Sequence, residues 1–283
     1  MKTITGSILR MKPRKKSSHK GDFGRVLIVG GSADYAGAPA LACNASLAVL
    51  RSGADLVSVA APETISIAVN RLTPDAITKK IKTKHGYFEM KNADEIIRLS
   101  RDFDVVLIGN GIGRKSDDFI RKITKQARKP MVIDADAIKA IRLQDVSDSI
   151  ITPHKKEFEI LLKNSGLSED KTGRDYFRKK MGNNVILLKG HIDQIISADK
   201  IALNRTGNPV MTKAGTGDVL AGLAAGFLAQ EAHAKDNPND PGMFRSACMA
   251  AYLNGAVGDY LLKKMGRAFI ASDIVDNIHK VLK

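Results

Sequence analysis

Tryptophan is absent from this 283-residue chain, and aromatic residues make up only 5% of it. A nucleic-acid surface of stacked rings and an aromatic membrane belt both need such side chains, so both are disfavoured. Only two cysteines occur, Cys43 and Cys248, with no CxxC spacing. That excludes a disulfide framework and a cysteine-based zinc site. Both lie among small apolar residues in helix-like sequence, and they read as buried, reduced thiols of a cytoplasmic protein. No run of about 18 apolar residues is present, so no membrane-spanning helix is expected. The basic N-terminus lacks the apolar core of a signal peptide. A GxxxxGK[ST] phosphate loop is also missing. Gly109-Asn110-Gly111-Ile112-Gly113 departs from the dinucleotide GxGxxG pattern, and no acid closes a following strand at the expected distance. We read it as a loop where backbones approach closely.

The composition that remains, 43% hydrophobic and 27% charged, is that of a folded globule. A chain this long can remove roughly 75% of its unfolded surface from water. Its net charge is +15, from 45 Lys and Arg against 30 Asp and Glu. The excess is uneven: residues 1–21 carry Lys2, Arg10, Lys12, Arg14, Lys15, Lys16 and Lys20 and no acid. This leader reads either as a nucleic-acid or phosphate-facing arm or as a solvated segment ahead of the first strand.

Short β-branched runs at 25–30, 56–60, 104–109, 131–134, 149–151 and 184–189, several ending in Gly, Asp or Lys, predict buried strands. Pro39 and Pro62 open helices, the first stopping near Gly53, and further helices are predicted over 117–127 and 154–162. From Gly217 the chain reads as helix almost to its end, broken at 236–242. Continuous apolar strands alternating with helices predict an α/β domain with a mainly parallel sheet covered on both faces. No repeat or linker divides the chain, so residues 1–283 are expected to form one domain. In such sheets ligands bind at the carboxyl ends of the strands, which makes the polar residues there one candidate site.

Lys213-Ala214-Gly215-Thr216-Gly217-Asp218 is the strongest chemical signal. Small residues let backbone N–H groups converge where a long helix begins, which favours an anion. Asp218 at that mouth can take a proton from an attacking hydroxyl, or it can simply cap the helix. In Thr152-Pro153-His154-Lys155-Lys156-Glu157, His154 and Glu157 share a helix face. The pair reads as a substrate contact with a water-linked Mg²⁺ carboxylate, or as a helix-start cap. Lys189-Gly190-His191-Ile192-Asp193 lies between two strand-like runs, as a hairpin turn or as a glycine-lined approach for a flat ligand.

Together Gly30-Gly31-Ser32, Tyr35-Ala36-Gly37-Ala38-Pro39, Asp134-Ala135-Asp136-Ala137, Thr152-Pro153-His154, Leu188-Lys189-Gly190 and the stretch from Gly207-Asn208-Pro209 through Ala214-Gly215-Thr216-Gly217-Asp218 resemble the ADP/ATP-dependent NAD(P)H-hydrate dehydratases of the ribokinase-like superfamily. The resemblance runs from about residue 20 to the C-terminus. It implies a three-layer α/β/α fold and repair of (S)-NADHX or (S)-NADPHX. In that reaction ADP or ATP phosphorylates the C6 hydroxyl, phosphate leaves, and NAD(P)H is restored, with AMP as co-product when ADP is the donor. By position it implies that Ala38, Gly113, His154 and Asp218 bind the hydrate. Lys189, Gly190, His191, Ile192, Asp193 and Gly217 would bind the nucleotide. Gly215, Thr216 and Gly217 would form the anion hole, and Glu157 would reach Mg²⁺ through water. It further implies a homotetramer.

This sequence also departs from the family pattern. Lys155 and Lys156 replace the usual Pro-Gly, and Val210-Met211-Thr212-Lys213 replaces Gly-Met-Ala-Thr; both changes are expected to add charge or bulk near the phosphates. The N-terminal segment is too short for the epimerase half of many relatives, so no epimerase activity is expected. A second reading keeps the fold but makes the protein an ATP-dependent kinase of a small alcohol such as hydroxyethylthiazole; the 35–39 loop and the Thr152-Pro153-His154 motif favour the dehydratase. A third, a nucleic-acid-binding protein, rests only on charge. That charge is better matched by polyanionic small substrates.

Overall fold

The computed structural model describes residues 2–11, 13–34, 37–167, 177–234 and 242–282. Ten strands form one sheet in the order β1 (Lys2–Thr3), β10 (Ile201–Asn204), β9 (Asp193–Ile196), β8 (Val185–Leu188), β7 (Ser149–Ile151), β6 (Met131–Ile133), β5 (Val105–Ile108), β2 (Arg25–Val29), β3 (Leu56–Pro62) and β4 (Ile77–Ile81). Neighbours are parallel throughout except at β9, which runs against β8 and β10. The predicted hairpin around Gly190 is therefore present, between β8 and β9.

Successive residues of a strand point to opposite faces, and here both faces are covered. Val26, Ile28 and Leu107 join one buried core, beneath α1 (Ala38–Arg51), α7 (Thr216–Ala234), α8 (Met243–Met265) and α9 (Ala271–Val281). Leu27, Val29, Val106 and Ile108 join the other, beneath α3 (Ala93–Ser100), α4 (Asp117–Gln126), α5 (Asp136–Ala140) and α6 (Lys155–Ser165). Helix α2 (Glu63–Leu72) follows β3. Each fully buried aliphatic side chain contributes roughly 1.5–3 kcal/mol, which is why strands lacking alternation form at the sheet centre. The expected three-layer α/β/α arrangement is thus observed.

Helix α7 lies against α1 closely enough to require glycine. A Cβ at Gly222 would stand 2.3 Å from Ala45 O, and one at Gly226 would stand 1.9 Å from Ser52 Oγ. This contact fixes the end of α7 that carries Asp218. Both cysteines are buried, and burial pushes the Cys248 thiol up to about 12, as expected of inert core thiols.

The leader corrects the picture of a solvated arm ahead of the first strand. Lys2–Thr3 is itself a strand, parallel to β10, and Ile4, Ile8, Leu9 and Met11 pack on the core. Arg14 donates to Asp55 Oδ1 at 2.8 Å and lies over the Phe23 ring, 4.1 Å from its centroid. The arginine side chain stacks because its weakly hydrated plane suits an aromatic face, while Lys15 and Lys16 stay exposed. Among the described residues no helix is long and apolar enough to cross a membrane.

Candidate active site

Four strand ends and one helix start converge on one polar cluster. Asn110 follows β5, Asp134 follows β6, Thr152 follows β7 and Lys189 follows β8. Asp218 meets them from the first turn of α7. Asn110 Nδ2 donates to Asp218 Oδ1 at 2.7 Å and to Asp134 Oδ2 at 3.2 Å. Asp134 Oδ1 accepts from Thr152 Oγ1 at 2.7 Å and from Lys189 Nζ at 3.2 Å. Lys189 also lies 4.0 Å from Glu157 Oε2. Burial would discharge the Lys189 ammonium, but Asp134, Glu157 and Asp218 together outweigh it and raise its pKa. Burial, then the neighbouring Asp134 charge, raises the Asp218 carboxyl to about 6, against opposing help from Asn110 and Lys189.

The glycine loop after β5 is the close-approach loop expected. Gly109 has φ +125°, and a Cβ there would fall 1.9 Å from Asp134 O. Ala135, between Asp134 and Asp136, takes φ 51° and ψ −122°, a conformation that costs a non-glycine residue roughly 1–3 kcal/mol. Nothing in an alanine announces that strain. Gly113 N–H donates to Asp136 Oδ2 at 3.2 Å, so Gly113 is tied to the same turn. Ala38 opens α1, but its side chain, with residues 35 and 36 of its motif, lies outside the described residues.

On the other side of the cluster opens a cavity of about 600 Å³. Lys189, Gly190, His191, Asp193, Thr216 and Gly217 line it, as does His154; Ile192 and Gly215 do not. Asp193 holds the hairpin turn, accepting from Gly190 N–H and from Asn204 Nδ2, each at 3.0 Å. Burial pushes its pKa up against those two bonds. Gly215 instead packs on the helix layer, where a Cβ would meet Ala271 Cβ at 2.8 Å. Thr216 N–H turns back to Lys213 O at 3.4 Å, and its hydroxyl to Met211 O at 2.7 Å. Of the expected anion-hole trio, Thr216 and Gly217 line the cavity, and among the described residues no protein group accepts the Gly217 amide.

His154 and Glu157 do form the helix-start cap. Glu157 N–H donates to His154 Nδ1 at 3.4 Å and His154 N–H to Glu157 Oε2 at 3.0 Å. His154 Nε2 stands 3.5 Å from Glu157 Oε1. Glu157 is buried and its Oε2 is engaged by the His154 N–H. Among the described residues no three acidic, His or Cys groups cluster as metal ligands. The side chains do not fit a resident magnesium cage, and Glu157 would reach an ion only through water.

The family departures act differently from expectation. Lys213 Nζ donates to Arg267 O at 2.7 Å and to Phe269 O at 2.6 Å, turning its charge onto the segment before α9. Lys155 and Lys156 are exposed on α6 and do not line the cavity. Met211, Thr212 and Lys213 do line the cavity, so the 210–213 change adds bulk there while the Lys213 ammonium is held by the two carbonyls.

Sequence reasoning singled out Asp218, Lys189, His154 and Glu157 and passed over Asn110, Asp134 and Thr152 as site members. The strand-end rule included them only as a class, without naming them as site members.

A mainly parallel sheet between two helix layers, with a buried carboxylate at a glycine-rich helix start, defines the ribokinase-like class. A ribokinase-like superfamily protein of Enterococcus faecalis superposes with a TM-score of 0.80 at 26% identity, covering 99% of this chain and 95% of that one. The model of the NAD(P)H-hydrate dehydratase family matches residues 26–280, and the chain belongs to that family. The bifunctional NAD(P)H-hydrate repair enzyme Nnr of Methanothermobacter thermautotrophicus is 40% identical over 289 residues, covering 98% of this chain and 53% of the relative. The chain thus spans about half the length of the curated relatives it matches. A Bacillus subtilis ADP/ATP-dependent NAD(P)H-hydrate dehydratase, co-crystallised with ATP and Mg²⁺, shares the fold at 23% identity with a TM-score of 0.74, covering 100% of this chain and 99% of that one.

Proposed function

We propose that the protein dehydrates (S)-NADHX and (S)-NADPHX to NADH and NADPH, using ADP or ATP as phosphoryl donor. The observation that carries this reading is Asp218: a buried carboxylate with a pKa near 6, on the first turn of α7, beside the cavity-facing Gly217 and Lys189.

In this reading the nucleotide occupies the 600 Å³ cavity, with its phosphates toward the Gly217 amide and the Lys189 ammonium. Asp218 Oδ2 takes the proton of the substrate's C6 hydroxyl as that oxygen attacks the terminal phosphoryl group. The bond from phosphorus to the donor's bridging oxygen breaks, releasing AMP from ADP. Gly217 N–H and Lys189 stabilise the transferring charge without reorganising, because both are already fixed. The ring nitrogen's lone pair then expels phosphate from C6, and loss of a C5 proton restores the dihydropyridine. A magnesium ion brought in with the donor would neutralise phosphate charge, with Glu157 facing it through water; the cytoplasm and a homotetramer are the proposed setting. Residues 1–283 are proposed to form one domain.

The test is recovery of NADH from (S)-NADHX with ADP and ATP supplied separately. The expected result is stoichiometric NADH and phosphate with at least one donor. Unchanged hydrate, with phosphorylation of a small alcohol such as hydroxyethylthiazole, overturns the proposal.

A further inference from the structure

We propose that Asn110 is a positioning residue for the base, a clamp whose single amide nitrogen holds Asp218 against Asp134 and leaves Asp218 Oδ2 directed at substrate. The proposal rests on the reading of Asp218 as the base. One N–H of the amide goes to Asp218 Oδ1 at 2.7 Å and the other to Asp134 Oδ2 at 3.2 Å. Asn110 is fully buried, and its Oδ1 is buried with no partner. The amide therefore accepts an unsatisfied oxygen in order to face two carboxylates with its nitrogen. The flipped orientation would set that oxygen against both of them, so the geometry has one solution.

The backbone beneath the clamp is equally fixed. Asn110 O accepts from Gly31 N–H at 2.8 Å, and a Cβ on Gly30 would stand 2.5 Å from the same oxygen. Gly109 lies against Asp134 O as described. Two loops, from β2 and β5, thus hold Asn110 at the height of the β6 carboxylate. Asp134 has both oxygens engaged, by Asn110, Thr152 and Lys189, and is the fixed member. Asp218 is held at Oδ1 by the Asn110 amide, and its own backbone N–H also bonds the carboxylate.

The charged groups facing Asp218 are Asp134 from β6 and Lys189 from β8, with Glu157 of α6 behind Lys189. Asp134 favours the protonated base, whereas Lys189 and the Asn110 amide favour the ionised one. Removing the amide leaves two close carboxylates with less to separate them, so the base holds its proton to higher pH.

The test uses Asn110→Ala and Asn110→Ser in the full chain, the serine supplying one hydroxyl donor in place of two amide hydrogens. Carboxyl ¹³C chemical shifts of Asp-labelled protein, with Asp218→Asn to assign the Asp218 signal, give its titration directly and without turnover. Asn110→Ala is expected to move that midpoint up by about one pH unit, with Asn110→Ser between it and wild type. The acid limb of kcat with NADHX and nucleotide moves by the same amount, while nucleotide KM changes less than about threefold. An unmoved midpoint in either variant overturns the clamp, as does an equal loss of kcat at every pH. A wild-type protein inert toward NADHX would instead sink the functional reading, and the carboxyl titration would still decide the clamp.

Discussion

The two sides of Asp218 are built on opposite principles. On the β5–β6 side the backbone is interlocked, every approach is a fraction of a van der Waals distance from closure, and the polar groups are buried. On the β8–α7 side a cavity of about 600 Å³ is lined by a hairpin turn and a helix start, with His191 exposed. A general base benefits from the first environment, because a rigid, dry setting raises its basicity and holds its aim. A polyphosphate needs the second, because it must enter with its water and leave as a product. The contrast teaches that one carboxylate can serve both only by sitting at the seam.

The largest expected effect tests that contrast through glycine. Gly109→Ala drives a Cβ into Asp134 O at 1.9 Å and is expected to cost roughly 4 kcal/mol or more. Gly190→Ala, whose nearest neighbour would be 3.4 Å away, is expected to stay within about 0.5 kcal/mol. Urea titration of both decides it, and equal losses would erase the distinction between the sides.

Next comes Asp218→Asn, expected to lower kcat by at least ~10²-fold with nucleotide affinity nearly unchanged. Retained turnover would reduce Asp218 to a helix cap. The same variant has a stability signature. The carboxyl is raised from 3.8 to about 6 in the folded state, so folding loses stability as pH climbs through that interval. The loss is on the order of 3 kcal/mol at neutral pH. The amide carries no such penalty. The variant should melt higher than wild type at pH 7 and not at pH 3.5.

The wild-type pH profile is the third expectation. Activity requires ionised Asp218, so kcat/KM should rise about tenfold per unit below pH 6 and level above it. A limb near pH 4 would mean the buried side is wetter than its packing implies.

The smallest effect is His154→Ala. His154 caps α6 at the border of the cavity, and its loss is expected to weaken hydrate binding about tenfold and nucleotide binding less. Isothermal titration separates the two, and the reverse order would move His154 to the nucleotide side.

Much of this arrangement was legible before any coordinates. The central strands announce themselves because burial on both faces demands unbroken apolar runs, as in Val26-Leu27-Ile28-Val29. The peripheral ones do not: β4 reads Ile-Thr-Lys-Lys-Ile, and its solvated edge tolerates lysines that blur any pattern. Helix α3 and strand β10 were passed over for the same want of a long signal. At the site, Asp218 was readable because glycines and a helix start are sequence features. Asn110, Asp134 and Thr152 were legible only collectively, as polar residues at strand ends; that these three meet depends on the lateral order of the parallel strands, and no local spacing encodes that order. Lys213 was half legible for a related reason: sequence places it beside the anion loop, and it lines the cavity, but only the fold supplies the two carbonyls that hold its ammonium.

The strand at Lys2–Thr3 has a consequence in time. It pairs with residues near position 202, so its partner is synthesised when most of the chain already exists. Closing so long a loop carries a large entropic cost that local contacts do not offset. Residues 2 and 3 are thus among the last parts of the sheet to find their place, and β10 stays open on one side until they do. Amide exchange at Ile4, whose N–H is bonded to Leu203 O at 2.9 Å, reads that final zippering step during refolding.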